Sequence, residues 1–336
     1  MPFIRPEKVV GVSLKMYMDR EATIAWVKEV KSLLAEHPAV ISDYLSIFVL
    51  PSYPLINDVK SIFQGTKLIV GSQNLSHEDS GALTGEVSPV VLKQLGCEFA
   101  AIGHYERRTH FKENEDEIAM KVIAAYRNEI TPVICVGEAT YIDDESAELE
   151  TIAQVQSALL SSPEYKDAPT VIAYEPSWAI GAEAPASPAH INRICAAIRK
   201  EALTLGLSKF WVIYGGSAGP GLLEEVSTSI DGLFLGRMAH ETDALVEVVD
   251  EFWSGDASDQ IKEVNPKLYN EMRLRHIALL HKHLDPILTP KFKTPVEKTW
   301  CEIDNGFWYI SSDGTSFTEI SLELVADFIN QFSGEK

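Results

Sequence analysis

The chain has 336 residues, of which 46% are hydrophobic, so it is long enough for a large buried core and longer than most single domains. A formal net charge of −20 with no basic cluster argues against binding to nucleic acid or to an anionic membrane surface. Every apolar run falls short of the about 18 residues that a transmembrane helix needs, and we expect no signal peptide. The four cysteines are far apart, which excludes a zinc knuckle or a Cys-x-x-Cys pair and favours a reduced, cytoplasmic protein.

Short apolar runs alternate along the chain with longer segments of helical period. The runs predict strands at 9–14, 45–50, 67–71, 99–103, 131–137, 170–174, 210–214 and 232–235. The intervening segments predict helices at 21–36, 55–63, 87–95, 113–128, 146–160, 188–204, 222–227 and 242–253. Continuous apolar strands are typical of a parallel sheet covered on both faces. Eight such units in about 250 residues predict a (β/α)8 barrel.

The alternation ends near residue 253, where a small polar linker begins. We therefore predict a barrel domain over residues 1–253 and a C-terminal α+β extension of unknown role over residues 254–336. In the extension, helices are predicted at 265–283 and 321–332. The Asn305-Gly306 step predicts a hairpin between strands at 298–303 and 307–311.

Three strand ends carry side chains that can do acid–base or electrostatic chemistry. Lys15 follows the first predicted strand, His104 the fourth and Glu175 the sixth. Taken singly, each is as well explained by a solvated charge or an ordinary polar contact. In a parallel barrel, however, the carboxyl ends of all strands meet at one face, which is where active sites lie. The three together therefore predict a catalytic site.

Several stretches of the chain resemble motifs of the triosephosphate isomerase family. They are VGSQN (70–74), GALTGEVSP (81–89), AIGHYERR (101–108), PVICVGE (132–138), YEPSWAIG (174–181), YGGS (214–217) and DGLFLG (231–236). The resemblance spans residues 9–253 and implies a TIM barrel that interconverts an aldose and a ketose phosphate, as in glycolysis, through an enediolate. It implies that Glu175 is the base, His104 the electrophile and Lys15 the electrostatic stabiliser, with no metal or organic cofactor. We expect Glu106 to support Lys15 through an ion pair.

The same resemblance implies a mobile lid and a phosphate site. The lid corresponds to Pro176, Ser177, Trp178, Ala179 and Ile180, and the substrate and phosphate contacts correspond to Ser13, Gly181, Ser217, Gly236 and Arg237. Four positions depart from the family pattern: Ser13 replaces an asparagine, Tyr105 a serine, Arg237 a glycine, and Pro185 lies in the far hinge of the lid. An intact catalytic trio beside a changed pocket favours altered specificity. The stretch GVSLKMY resembles a divergent branch that acts on tetrulose phosphates, so triose phosphate and tetrulose phosphate both remain open.

Two other classes of protein compete with this interpretation. One is a non-catalytic barrel whose extension docks a partner, which the intact Lys15, His104 and Glu175 disfavour. The other is a different phosphate enzyme of the same fold, but a Schiff-base aldolase needs a mid-barrel lysine where strand six supplies Glu175.

The loop 73–86 also resembles the family's long third loop, and Leu83 places an apolar side chain near its tip. The resemblance therefore implies a homodimer.

Overall fold

The computed structural model describes residues 7–226, 228–254, 299–303, 306–310 and 317–320. Its main feature is a closed barrel of eight parallel strands in sequence order, in which the eighth pairs with the first. The strands are β1 (Lys8–Ser13), β2 (Leu45–Leu50), β3 (Ile69–Ser72), β4 (Phe99–Ile102), β5 (Thr131–Val136), β6 (Thr170–Tyr174), β7 (Phe210–Tyr214) and β8 (Gly232–Leu235). The predicted (β/α)8 fold is confirmed.

Helices lie between successive strands. They are α1 (Arg20–Leu34), α2 (Pro38–Ile41), α3 (Ile56–Phe63), α4 (Pro89–Gln94), α5 (Tyr105–His110), α6 (Glu115–Arg127), α7 (Asp144–Leu159), α8 (Pro188–Thr204), α9 (Leu223–Val226) and α10 (Thr242–Ser254). The sequence missed the two short helices α2 and α5. It also began the third strand two residues too early, because the Thr66 hydroxyl accepts the Leu68 N–H and prolongs the turn after α3.

Local capping explains where the helices near the site begin. Ser187 accepts a hydrogen bond from the His190 backbone N–H, and Pro188 supplies the first helical residue of α8. Asp143 caps α7 in the same way through the Ser146 N–H. The first turns of both helices are therefore fixed in position at the carboxyl face of the barrel.

One cluster of buried apolar side chains fills the inside of the barrel, and a second lies between the outer face of the barrel and the helices. Inside, the rings of Phe48 and Phe99 stack with their centroids 4.4 Å apart. Gly11 is required opposite them, because a Cβ there would collide with the rings of Phe48 and Phe234. This filled interior makes the barrel a rigid support for the loops at its carboxyl face.

The chain divides into two compact units, Met1–Tyr269 and Asn270–Lys336. In the second unit, β9 (Thr299–Ile303), β10 (Gly306–Ile310) and β11 (Phe317–Ile320) form an antiparallel sheet. Ile303 pairs with Gly306, which confirms the predicted antiparallel pairing of these two strands. The helices predicted at 265–283 and 321–332 lie outside the described residues, and the boundary at residue 253 stays a prediction. No described helix is long and apolar enough to cross a membrane.

Candidate active site

A cavity of about 500 Å³ opens at the carboxyl ends of the barrel strands. Ten residues singled out from the sequence line it: Ser13, Lys15, His104, Glu106, Glu175, Ile180, Gly181, Ser217, Gly236 and Arg237. Tyr105 lines it too. Residues more than 200 positions apart in sequence thus meet around one space, as the parallel arrangement of the strands requires.

His104 is the residue that caps helix α5, and this role fixes its ring. Its Nδ1 accepts a hydrogen bond from the backbone N–H of Glu106 at 3.2 Å. Because Nδ1 acts as an acceptor, the ring proton of a neutral imidazole lies on Nε2. That nitrogen faces the Glu175 Oε2 at 3.8 Å, which is too long for a hydrogen bond. The His104 Nε2 and the Glu175 Oε2 therefore face each other without a hydrogen bond between them, and both can interact with a ligand.

Glu175 follows β6, and its carboxylate is only 6% exposed. Its backbone N–H donates to the Val136 carbonyl at 2.8 Å, which anchors the residue to the neighbouring strand. Oε2 is buried and has no hydrogen-bond partner among the described residues. Gly215 makes room for this side chain, since a Cβ at that position would lie 2.7 Å from Oε1. An unpaired buried carboxylate oxygen is costly, and at a cavity wall it indicates a site that interacts with a ligand.

The carboxylate also affects the thiol beside it. Burial, and then the negative charge of Glu175, raise the pKa of Cys135 well above its usual range. Cys135 is 2% exposed and is a free thiol. A buried, protonated thiol is a poor nucleophile, so Cys135 packs beside Glu175 without a role in the chemistry.

Lys15 and Glu106 form the ion pair expected from the sequence. Lys15 Nζ donates to Glu106 Oε1 at 2.8 Å. Burial raises the pKa of Glu106, but the hydrogen bond from Lys15 and the nearby His104 outweigh it, so the net pKa is lowered. Lys15 has a φ of 48°, a left-handed conformation that is unfavourable for a residue with a Cβ. The Gln73 amide and the Ser52 hydroxyl hold it there by donating to its carbonyl at 2.9 and 3.2 Å.

Ser217, Gly236 and Arg237 lie on the side of the cavity that is predicted to bind phosphate. The Ser217 hydroxyl lies 2.7 Å from the Ala179 carbonyl and 3.1 Å from that of Ala182, so it is committed to the lid as a donor. Gly236 borders open space, and Arg237 next to it is exposed. The Arg237 guanidinium lies 5.8 Å from the centroid of the Tyr17 ring. Arg237 thus adds a cation to the cavity wall, next to an aromatic face.

Sequence reasoning missed Tyr17 on this wall and His240 in contact with it. Tyr17 lines the cavity, and its ring makes an edge contact with His240 at a centroid distance of 5.4 Å. Burial, followed by the charge of Arg237, lowers the pKa of His240. Tyr17 lies two residues after Lys15, and this proximity in sequence could have identified it as a residue of the site. His240 lies in the Arg237–His240 turn, and no feature of the sequence identifies it. Its contact with Tyr17 depends on the pairing of β8 with β1.

The lid segment lies beside the cavity in a single helical turn, Ser177–Ala179. Ile180 and Gly181 face the cavity, whereas Pro176, Ser177, Trp178 and Ala179 are absent from its described lining. Instead, the Trp178 indole N–H donates to Glu138 Oε1 at 2.7 Å. Glu138 was missed as a functional candidate, although it ends the quoted PVICVGE motif. The described residues contain no group of three His, Cys, Asp or Glu side chains that could hold a metal ion.

Comparison with known proteins agrees with this geometry. The family model described as triosephosphate isomerase matches residues 8–252. An L-erythrulose-1-phosphate isomerase from Pectobacterium atrosepticum is 41% identical over 244 residues, which are 72% of this chain and 94% of that protein. A protein of the same name from Mesorhizobium japonicum is 37% identical over 71% of this chain and 95% of its own length. Another from Rhizobium etli is 35% identical over 71% of this chain and 90% of its own length.

The family match covers the whole barrel and ends at residue 252, before the first strand of the second sheet, which begins at Thr299. It includes every cavity residue described above. On the fold, the extent of the match and the identity of the relatives, the chain belongs to the triosephosphate isomerase family.

Proposed function

We propose that this protein isomerises a small sugar phosphate through an enediolate, and that a tetrulose phosphate is its preferred substrate. One observation carries the proposal: on the wall of a 500 Å³ cavity, the His104 Nε2 lies 3.8 Å from the Glu175 Oε2, which has no hydrogen-bond partner in the described part of the chain. A carboxylate that can accept a carbon-bound proton, opposite a neutral donor for a carbonyl oxygen, is the minimum apparatus for this reaction.

In the proposed reaction, Glu175 removes a proton from the hydroxyl-bearing carbon next to the carbonyl. The electron pair of that C–H bond forms a carbon–carbon double bond, and the carbonyl oxygen takes up negative charge. His104 Nε2–H donates to that oxygen and then moves the proton between the two oxygens. Glu175 returns its proton to the neighbouring carbon, and the carbonyl reforms one position away. Atoms and electrons balance without a co-reactant.

Lys15 and the phosphate side complete the proposed site. Glu106 accepts a hydrogen bond from the Lys15 ammonium and positions it at the cavity, where it can stabilise the enediolate and attract an anionic substrate. The barrel and linker carry most of the net charge of −20, so attraction must be local. Arg237 is the second cation on the cavity wall, and we propose that it contacts the phosphate together with the backbone around Gly181 and Gly236.

The choice of tetrulose phosphate is supported by the relatives, which are named for L-erythrulose 1-phosphate, and by the residues that differ from the family pattern. A triose phosphate and a tetrulose 1-phosphate share the unit phosphate–CH2–CO–CH(OH)–, and the tetrulose adds a hydroxymethyl group beyond it. With the tetrulose, the same proton shift moves the carbonyl from the second carbon to the third. Ser13 lines the cavity with a smaller side chain than the family's asparagine, which leaves space for the added group.

Turnover of both substrates by the purified full chain tests the proposal. We expect kcat/KM to be higher for L-erythrulose 1-phosphate than for dihydroxyacetone phosphate, and Glu175→Gln to abolish both activities. Turnover of dihydroxyacetone phosphate alone would retain the isomerase and reject the tetrulose assignment. No turnover of either substrate by a folded protein would reject the enzyme and favour a non-catalytic barrel.

The homodimer, the cytoplasmic location and a role in glycolysis belong to the proposal as well. Leu83 in the loop 73–86 is 40% exposed. Met16, the residue after Lys15, is 92% exposed. Apolar side chains exposed to this degree favour burial by a second copy. Buried free thiols at Cys97, Cys135 and Cys195 fit a reducing compartment. A glycolytic role would apply only if triose phosphate is the substrate.

A further inference from the structure

Glu138 is a carboxylate without any exposed surface, at the end of β5 beside the lid. It accepts hydrogen bonds from the Trp178 indole at 2.7 Å and from the Tyr174 hydroxyl at 3.0 Å. Burial, and then the negative charge of Glu138, raise the pKa of Tyr174 above its usual range, so this hydroxyl stays a donor. Both donors are uncharged. Ionising a fully buried carboxylate requires a nearby positive charge as well as hydrogen bonds.

His190 is positioned to supply that charge. Its Nε2 lies 3.2 Å from Glu138 Oε1 and 2.8 Å from the Tyr174 oxygen, and its Nδ1 lies 2.8 Å from Asp144 Oδ1. Ionised carboxylates only accept hydrogen bonds, so both carboxylate contacts are hydrogen bonds only if both ring nitrogens carry protons. Among the described residues, His190 is the basic side chain that forms an ion pair with Glu138.

The chain topology makes this contact relevant to the lid. Trp178 lies within the lid segment, and His190 lies in the first turn of α8, the next helix along the chain. Both meet the same carboxylate, Glu138, and their rings are 5.9 Å apart between centroids. The Ser187 cap holds the His190 backbone in place. The lid segment and the helix that follows it are thus joined through a single buried group.

We propose that His190 is a positioning residue for the lid: its imidazolium neutralises Glu138, and the ionised Glu138 then holds the Trp178 indole. The inference rests on the proposed isomerase function, because the lid covers the cavity of that site. Without the positive charge, Glu138 takes up a proton or recruits water, and in either case its bond to Trp178 weakens. A loosened lid exposes the enediolate, whose electron pair can then expel phosphate from the adjacent carbon.

A double-mutant cycle of His190→Gln and Glu138→Gln tests this charge coupling. His190→Gln leaves an uncompensated buried carboxylate, whereas the double variant has no charge to compensate. His37→Gln is the matched control, because His37 is also buried and its Nε2 also lies 3.0 Å from a carboxylate, that of Asp250. The readouts are kcat and KM on L-erythrulose 1-phosphate, inorganic phosphate released per turnover, and the 19F resonance of Trp178 in protein labelled with 5-fluorotryptophan and assigned with Trp178→Phe.

We expect His190→Gln to lower kcat by about 10²-fold, to raise phosphate release per turnover, and to shift or broaden the Trp178 resonance. In the Glu138→Gln background, His190→Gln should cause little further change, so the double variant should resemble Glu138→Gln. The control should keep the wild-type resonance and phosphate release. If His190→Gln fails to fold while the double variant folds, the charge coupling is supported by stability alone.

Two outcomes would overturn the inference. One is a folded His190→Gln protein with the wild-type Trp178 resonance and wild-type phosphate release. The other is a His190→Gln substitution that lowers kcat, or stability, as much in the Glu138→Gln background as in the wild-type protein. The 19F spectrum needs no substrate, so it stays informative if the proposed function itself fails.

Discussion

We propose that catalysis at the candidate site depends on the position of one carboxylate oxygen of Glu175. Glu175 is fixed at its backbone by the Val136 carbonyl and at its side chain by the close approach of Gly215. Shortening it by one methylene moves the oxygen by about 1 Å, and a displacement of this size can cost about 10²-fold in rate. We therefore expect Glu175→Asp to lose about 10²-fold in kcat and Glu175→Gln to lose more, with unchanged melting temperatures.

Steady-state kinetics on both sugar phosphates, together with thermal melting, measures this effect. Glu129→Gln is the control, since its carboxylate is 86% exposed and pairs only loosely with Lys93 at 3.6 Å. It should retain wild-type kinetics. Near-normal turnover by Glu175→Gln would remove Glu175 from the base assignment.

Substrate choice at the residue scale should depend on Ser13 and Arg237. Ser13→Asn fills space in the cavity, and Arg237→Gly removes a cation from its wall. We expect the double substitution to raise the ratio of kcat/KM for dihydroxyacetone phosphate over that for L-erythrulose 1-phosphate. Discrimination by one pocket group is worth about 10-fold to 200-fold. If the ratio does not move in the double variant, these two positions do not set specificity.

The sequence could predict residues whose role depends on their own position, but not those whose role depends on a distant partner. Lys15, His104 and Glu175 each end a strand, so their meeting follows from the barrel. Tyr17, Glu138 and His190 act through contacts between elements far apart in the chain. No single sequence shows these contacts, and their residue types alone favoured ordinary polar or aromatic roles.

At the scale of elements, the strands were predicted almost to the residue, because each is an apolar run that is buried on both faces. The helices α4 and α9 were predicted although they have only 6 and 4 residues, but α2 and α5, with 4 and 6 residues, were missed. Both start at a histidine, His37 or His104, whose ring accepts a backbone N–H. Histidine is an uncommon cap, so neither helix start had the usual sequence signal.

A buried ion-pair cluster joins three elements next to the site. Glu113 accepts hydrogen bonds at 2.6 Å from Arg107 in α5 and Lys121 in α6, and Lys121 also donates to Asn74 in the loop after β3 at 3.0 Å. Burial raises the pKa of Glu113, but these bonds from Lys121 and Arg107 outweigh it and the net pKa is lowered. The cluster therefore stabilises the helix that carries His104, as long as Glu113 is ionised.

The lowered pKa of Glu113 predicts the direction of an acid effect on stability. Its contribution is fully present above its unfolded value of 4.5 and is lost as the pH falls through the lower folded value. Glu113→Gln should cost about 3 kcal/mol at neutral pH and should flatten the decline of the unfolding free energy below pH 4.5. Urea denaturation across this pH range measures both effects.

Glu98→Gln is the matched control for that experiment. Glu98 pairs with Lys60 at 3.5 Å on the surface, where both side chains are more than 40% exposed. Such a pair is worth about 0–1 kcal/mol, so this variant should follow the wild-type pH profile. A Glu113→Gln protein with that same profile would show that the cluster does not stabilise the fold.

At the scale of the whole molecule, the loop 73–86 connects the site to the proposed dimer. Gln73 at its base donates to the carbonyls of Lys15 and Leu50 at 2.9 and 3.0 Å, while Leu83 near its tip is 40% exposed. A displacement of the loop tip can therefore be transmitted through Gln73 to Lys15. We expect the wild type to be a dimer, and Leu83→Glu to give monomers with lower activity, because a buried unpaired carboxylate opposes association.

Light scattering of both proteins, combined with kinetics, measures this prediction. Leu149→Glu is the control, since Leu149 is 67% exposed on α7, outside the loop, and it should remain dimeric. A wild-type protein that is monomeric and fully active would contradict the proposed assembly.

The central claim is that Glu175 exchanges a carbon-bound proton of a sugar phosphate. The most direct test is to incubate the full chain with L-erythrulose 1-phosphate in D2O and to follow the proton signal of the third carbon by NMR. The account predicts that this signal disappears with wild-type protein as deuterium enters the neighbouring carbons, and that it persists with Glu175→Gln. Persistence of the third-carbon proton signal with the wild-type protein, or equal loss of this signal with Glu175→Gln, would contradict it.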